Sequence, residues 1–267
     1  MPDLNLTTGM AGSPGLVCAT TRRSDEIWVT RLAVRPLLID PGTPYRDVTH
    51  VHGQRGREVC GVSRAAAGTA TAADLFERRV LPLYQLAEDA GAIATACHAM
   101  AVRFHRGGTL VVFGNGTAST DAQHVVVEFV HPVIMGKRAL PAISLTADVA
   151  TVTGIAGAEG FDEVFAHQLS HLASARDIAL GISPDGNCTS VLRGLAAARE
   201  LGMLTIALLG GDGGRIASLQ AADHIVVAHS DDPRVIKEVH VTAYHVLWEL
   251  VHVFFQHPDL LEPRAVA

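Results

Sequence analysis

The stretch Thr109-Leu110-Val111-Val112-Phe113-Gly114-Asn115-Gly116-Thr117-Ala118-Ser119-Thr120-Asp121 decides the fold. An apolar run of strand length passes directly into two glycines, and the polar residues after them open a helical pattern. A strand wetted on one face would alternate polar with apolar residues. An unbroken apolar strand is covered on both faces, which is the situation of a parallel sheet. Similar runs stand at 142–145, 178–182, 204–209 and 224–228, and helical patterns separate them. Upstream, Leu75, Val80, Leu81, Leu83, Leu86 and Ala87 recur at helical spacing, and a second helical stretch covers 90–104. The pattern predicts an α/β fold: a doubly wound, five-stranded parallel sheet flanked by helices. Gly114 and Gly181 are expected to follow strand carboxyl ends. Ligands of such sheets bind beyond those ends, near the switch in strand order, so the loops after Phe113, Leu145, Ile182 and Leu209 are where chemistry is expected.

Residues 1–68 are of another kind. Short β-rich runs at 15–20, 26–34 and 47–52 are separated by turn signals such as Asp40-Pro41-Gly42-Thr43-Pro44. They suggest a small β-rich N-terminal module or arm, without a chemical motif of its own, that could recognise a protein partner. A linker at 69–72 leads to the main domain, 73–256, and a tail follows at 257–267. The formal net charge is −6, so nothing basic points to nucleic acid or to anionic lipid. No apolar run reaches the roughly 18 residues needed to span a bilayer, and no secretory signal opens the chain. Cys18, Cys60, Cys97 and Cys188 are widely spaced, with no C-x-x-C pair. Reduced thiols in a cytoplasmic protein are the simplest expectation.

Two loops carry the candidate chemistry. The first, 114–121, joins glycines to a helix start, where unpaired N–H groups can meet an anion; Ser119 or Thr120 could equally cap that helix. The second, Gly181-Ile182-Ser183-Pro184-Asp185-Gly186-Asn187-Cys188-Thr189-Ser190, precedes a helix over 191–201 closed by Gly202. Two such loops in one sheet favour a phosphorylated ligand. On the helix after the first loop, His124 and Glu128 are four apart and share a face. Such a pair can hold a metal or move a proton, or form an ordinary surface hydrogen bond. A long helix over 233–255 carries Lys237, His240, His245 and His252.

Taken together, Gly114-Asn115-Gly116, Asp121-Ala122-Gln123-His124 and Glu128-Phe129 resemble the signature of bacterial phosphoheptose isomerases, which are built on the SIS (sugar isomerase) domain. The segments 140–148, 160–169, 201–208, 212–214 and 234–245 continue the resemblance in order and spacing. It runs over about 73–256 and covers nothing before about residue 70. It implies a homotetramer of SIS domains that interconverts the ketose sedoheptulose 7-phosphate and an aldose heptose phosphate. Matching positions imply Glu128 as base and His245 as acid. They also imply a zinc site at His124, Glu128 and His245 and no other cofactor. A sugar phosphate would lie on Asn115, Gly116, Ser119, Thr120, Asp148, Ser183, Asp185, Asn187, Cys188 and Lys237.

Several residues depart from the family pattern. Lys237 stands where the family has a glutamine, and an ammonium offers donors but no lone pair to a metal. It is expected instead to pair with Glu128. In the second loop Asp185 and Cys188 replace hydroxyl residues. A carboxylate roughly 4 Å from a phosphate charge costs about 4 kcal/mol at an effective dielectric of about 20. Asp185 would be accommodated if it served the start of the following helix at Thr189. In the first loop Thr117-Ala118 replaces Gly-Ser, leaving Ser119 and Thr120 as hydroxyl donors, and His131-Pro132 replaces a Gly-Arg pair. Two functional readings follow. One is a phosphosugar-binding isomerase. The other is a catalytically inactive SIS-fold protein that serves as a binding, regulatory or assembly module.

Overall fold

The computed structural model describes residues 71–261. The chain divides into two units, Met1–Arg64 and Ala65–Ala267. The β-rich runs expected within 1–68, and any partner they recognise, lie outside the described residues.

Helix α1 (Ala72–Glu88) starts at a capping box: the Asp74 N–H donates to the Thr71 hydroxyl, and the Thr71 N–H donates to the Asp74 carboxylate. Helix α2 (Ala90–His105) leads into alternating strands and helices: β1 (Leu110–Gly114), α3 (Thr117–Val130), β2 (Ala142–Ser144), α4 (Val149–Ala158), α5 (Val164–Leu172), β3 (Ile178–Ser183), α6 (Thr189–Glu200), β4 (Leu204–Gly210), α7 (Gly214–Ser218), β5 (His224–Ala228) and α8 (Pro233–Phe255). All five strands are parallel, in the order β2-β1-β3-β4-β5. The chain winds from β1 outward to β2, then crosses to β3 and continues the other way. The switch point therefore lies between β1 and β3, where the 114–117 and 183–189 loops emerge side by side.

The period of two along each strand sorts the core into two layers. Leu110 and Val112, Ile178, Leu180 and Ile182, and Leu204, Ile206 and Leu208 pack with α1, α2, α3 and α8. Val111 and Phe113, Ala179, and Ala207 and Leu209 pack with α5, α6 and α7 on the other face. Strands β1, β3 and β4 are buried along their whole length. At about 1.5–3 kcal/mol for each large aliphatic side chain fully buried, these three strands anchor the domain. The sequence-based expectation needs one correction. Gly114 closes β1 as expected, but Gly181 lies inside β3 rather than after it. The reason is the close approach of α6. A Cβ at Gly181 would stand 3.0 Å from Val191 Cγ1 and 3.2 Å from Leu195 Cγ and Phe113 Cε2.

The end of the domain follows the sequence closely. Asp232 caps α8 with Pro233 in its first turn, Leu201 ends α6, and Gly202 follows at φ +78°. After α8 the chain makes one further turn, Pro258–Leu260, and His98 Nε2 lies 2.8 Å from the Leu260 carbonyl oxygen. Cys97 and Cys188 are both free thiols.

Candidate active site

At the end of β1 the backbone leaves no room for a side chain: a Cβ on Gly114 would meet the Ile182 carbonyl oxygen at 2.8 Å and Ala118 Cβ at 2.9 Å. Gly116 then turns through φ +59° to start α3. Asn115 bridges the two loops, its Nδ2 donating to Ser190 Oγ at 2.5 Å and approaching Cys188 Sγ at 3.1 Å. Gly114, Asn115, Gly116 and Ser119 line a hollow of about 180 Å³ with Thr146 and Phe165. The hydroxyls of the first turn do not cap α3. Ser119 donates to the Gly116 carbonyl and Thr120 to the Thr117 carbonyl, and Gly116 stands at the N-cap without a side-chain bond.

The second loop is organised around its own carboxylate. Asp185 Oδ1 accepts from the Ser183 hydroxyl at 3.2 Å and from the Asn187 N–H at 3.0 Å. The Ser183 oxygen in turn accepts the Cys188 N–H at 3.3 Å, and Asn187 Oδ1 accepts the Arg215 N–H at 3.0 Å. Cys188 occupies the N-cap of α6, which has no side-chain cap bond. The expectation that Asp185 serves the start of that helix is corrected in position: the carboxylate takes up the loop donors just before it. Asp148 is likewise engaged locally. Its carboxylate accepts from Ala150 N, Thr151 N and Thr151 Oγ1 at the start of α4, and the Thr151 hydroxyl in particular holds it below the usual carboxylate range. It faces a separate hollow of about 580 Å³ that is also lined by His167 and His171.

Between α3 and α8 the structure assembles the remaining candidates. Both helices lie on the same face of the sheet, α3 over β1 and β2 and α8 over β4 and β5, and where they touch, side chains two turns apart on each meet in the same order. Lys237 Nζ lies 2.6 Å from Asp121 Oδ1 and also donates to Thr120 Oγ1 at 3.1 Å and the Thr117 carbonyl at 3.3 Å. The expected pairing with Glu128 is therefore corrected. Asp121 is buried and needs a counter-charge, and the lysine meets it near the start of α3. One to two turns further on, His124 Nε2 is 3.2 Å from Glu128 Oε1, and His245 Nε2 is 4.0 Å from the same oxygen. The histidines are half-exposed and the carboxylate is half-buried, so the group opens to solvent on one side. His240 and His252 do not join it. His240 Nε2 bonds the Leu209 carbonyl at 2.8 Å, and burial pushes its imidazole below the ordinary range. His252 lies between the carbonyls of Trp248 and Arg138.

One ligand atom each from His124, Glu128 and His245 lies within 4.8 Å of the others. Two imidazoles and a carboxylate match the donor set of open catalytic zinc sites. Lys237, held on Asp121, stays out of that set. His124 also has the outer partner that metal-bound histidines need, since Tyr244 Oη lies 2.7 Å from its Nδ1. The residues fit the metal. Sequence reading passed over Tyr244. Its place directly before His245, on the face that also carries His240, was the available signal. Asp121 was quoted in the motif, but its part in holding Lys237 was not foreseen.

A SIS domain matches residues 78–210. The phosphoheptose isomerase of Pelobacter propionicus is 45% identical over 148 residues, which is 55% of this chain and 77% of that protein. That of Desulfovibrio desulfuricans is 39% identical over 180 residues, 66% of this chain and 84% of the relative. The chain belongs to the phosphoheptose isomerase family of SIS-domain proteins. Solved phosphoheptose isomerases from Francisella tularensis and Neisseria gonorrhoeae share the fold, with TM-scores of 0.64 and 0.62 and identities of 32% and 28%. Each match covers 67% of this chain and 95% of the other. The SIS match ends before α8, so Lys237, Tyr244 and His245 lie beyond it. No helix among the described residues is long and apolar enough to cross a membrane.

Proposed function

We propose that the chain is an aldose–ketose isomerase of sugar phosphates, with sedoheptulose 7-phosphate as the first substrate to test. The observation that carries this reading is the convergence of His124, Glu128 and His245 from α3 and α8. Isomerisation moves a proton between adjacent carbons and a second proton between their oxygens. Glu128, half-buried beside two imidazoles, is the base for the carbon-bound proton. His245, within 4.0 Å of it, is the acid and base for the oxygens. His124 steadies the Glu128 carboxylate at 3.2 Å. Zinc held by these three residues would supply positive charge against the developing enediolate oxygens. The phosphate would lie on the hollow at Gly114, Asn115, Gly116 and Ser119. Asp185 already occupies the Ser183 hydroxyl and the Asn187 N–H, so the second loop would contribute little to an anion. The names of the matched relatives support a heptose phosphate as the substrate class.

The test is turnover of sedoheptulose 7-phosphate in deuterated water, followed by NMR for the aldose and for deuterium at C2. Turnover is expected in the wild type. Glu128→Gln should lower it at least a hundredfold while the melting temperature holds. Absence of both exchange and aldose, with and without added zinc, would overturn the proposal.

A further inference from the structure

Tyr244 is buried in α8, and its hydroxyl is the group that meets the side of His124 turned away from Glu128. Three rings pack edge to face around this point: His124 to Tyr244 at 5.2 Å, His124 to His245 at 5.2 Å and Tyr244 to His245 at 5.0 Å, with interplanar angles of 77–82°. In this packing the His124 imidazole sets Nδ1 on the phenol and Nε2 toward Glu128.

The proton count along this line is constrained. An ionised Glu128 only accepts, so without a metal the proton of a neutral His124 sits on Nε2, and Nδ1 must accept. The phenol then donates, giving the chain Tyr244 O–H to Nδ1 and Nε2–H to Glu128. Were His124 to hold a metal through Nε2, its hydrogen would stand on Nδ1, and the partner at Nδ1 would have to accept. A hydroxyl can do either by rotating, whereas a carbonyl can only accept and an apolar side chain can do neither.

We propose that Tyr244 is a positioning residue of this centre: its hydroxyl fixes the ring of His124 and, by reversing one hydrogen bond, lets that histidine serve both the metal-free and the metal-bound arrangement. The inference rests on the reading of His124, Glu128 and His245 as a metal-capable centre.

Tyr244→Phe removes only the hydroxyl and keeps the ring packing. Zinc affinity of the full chain, measured by competition with a chromophoric chelator, should fall about 10- to 100-fold, the usual effect of losing an outer-shell partner. Long-range ¹H–¹⁵N spectra of histidine-labelled, metal-free protein should show a smaller excess of the Nε2–H form of His124, because Glu128 alone then favours it. Melting should change by no more than a few degrees. Labelling with 3-fluorotyrosine makes the phenol a stronger donor without changing the fold, and should strengthen the Nε2–H form. Zinc affinity within twofold of wild type, together with an unchanged His124 tautomer in both proteins, would overturn the proposal. A wild-type chain that binds no zinc would remove the metal reading, and with it the metal-bound half of the proposal. The tautomer spectra would still decide whether Tyr244 orients His124.

Discussion

Lys237 reaches Asp121 at 2.6 Å because a carboxylate that is 4% exposed cannot be left uncompensated, whereas Glu128, nearer the surface, has two imidazoles beside it. The identity of the lysine, and its inability to act as a metal ligand, were legible in the sequence. Its partner was not, because the choice between Asp121 and Glu128 depends on the axial register of α8 against α3. The same holds for Asp185: its charge could be read, but not its bonds to Ser183 and Asn187. A consequence follows for Lys237→Gln. Removing the ammonium strands the Asp121 charge and should destabilise the domain by about 1–3 kcal/mol. The lower end is favoured because the lysine is itself 40% exposed. Urea unfolding measures the loss, and adding Asp121→Asn should recover part of it. Equal stability of Lys237→Gln and wild type would mean that the ion pair is incidental.

At the scale of elements, the strand–loop–helix units were read from apolar runs ending in glycine. The sequence cues for α8 were also sufficient: Pro233 at its start and an apolar stripe through to Phe255. Less legible was how closely elements approach one another. Gly181 and Gly194 both exist to let α6 sit down on the sheet. At Gly194 a Cβ would lie 2.8 Å from Phe113 Cε2 and 3.1 Å from Phe165 Cβ, and both rings are fully buried and in contact at 5.1 Å. In an exposed helix Gly→Ala stabilises by up to about 1 kcal/mol. Here the overpacking cost of about 1–3 kcal/mol should exceed that gain, so Gly194→Ala should be net destabilising. Thermal unfolding decides the sign, and a raised melting temperature would show that Phe113 can yield.

At the scale of the whole molecule, the helices around the site present apolar side chains that no described residue covers. Helix α1 turns Pro82 and Leu86 into the domain, and Arg79 ties it to Glu238 on α8. The opposite stripe carries Phe76, Val80 and Tyr84, spaced one turn apart, with Phe76 74% and Tyr84 68% exposed. Val127, Val130, Val133, Ile134 and Met135 are also exposed, at the end of α3 and beyond. The helical periodicity of α1 was plain in the sequence. Which of its faces the domain covers was not, since both are apolar. Exposed apolar side chains spaced one turn apart along a helix are costly to leave in water and are typical of subunit interfaces. The oligomer proposed from it is a tetramer, with a mass by light scattering four times the chain's 28.2 kDa. Phe76→Glu combined with Tyr84→Glu should lower that mass to a dimer or monomer, because each aromatic contributes about 1.5–3 kcal/mol of burial that a carboxylate reverses. The circular dichroism should stay unchanged, since both side chains point away from the core of their own domain. A wild-type chain that runs at a single-chain mass at micromolar concentration would refute the assembly.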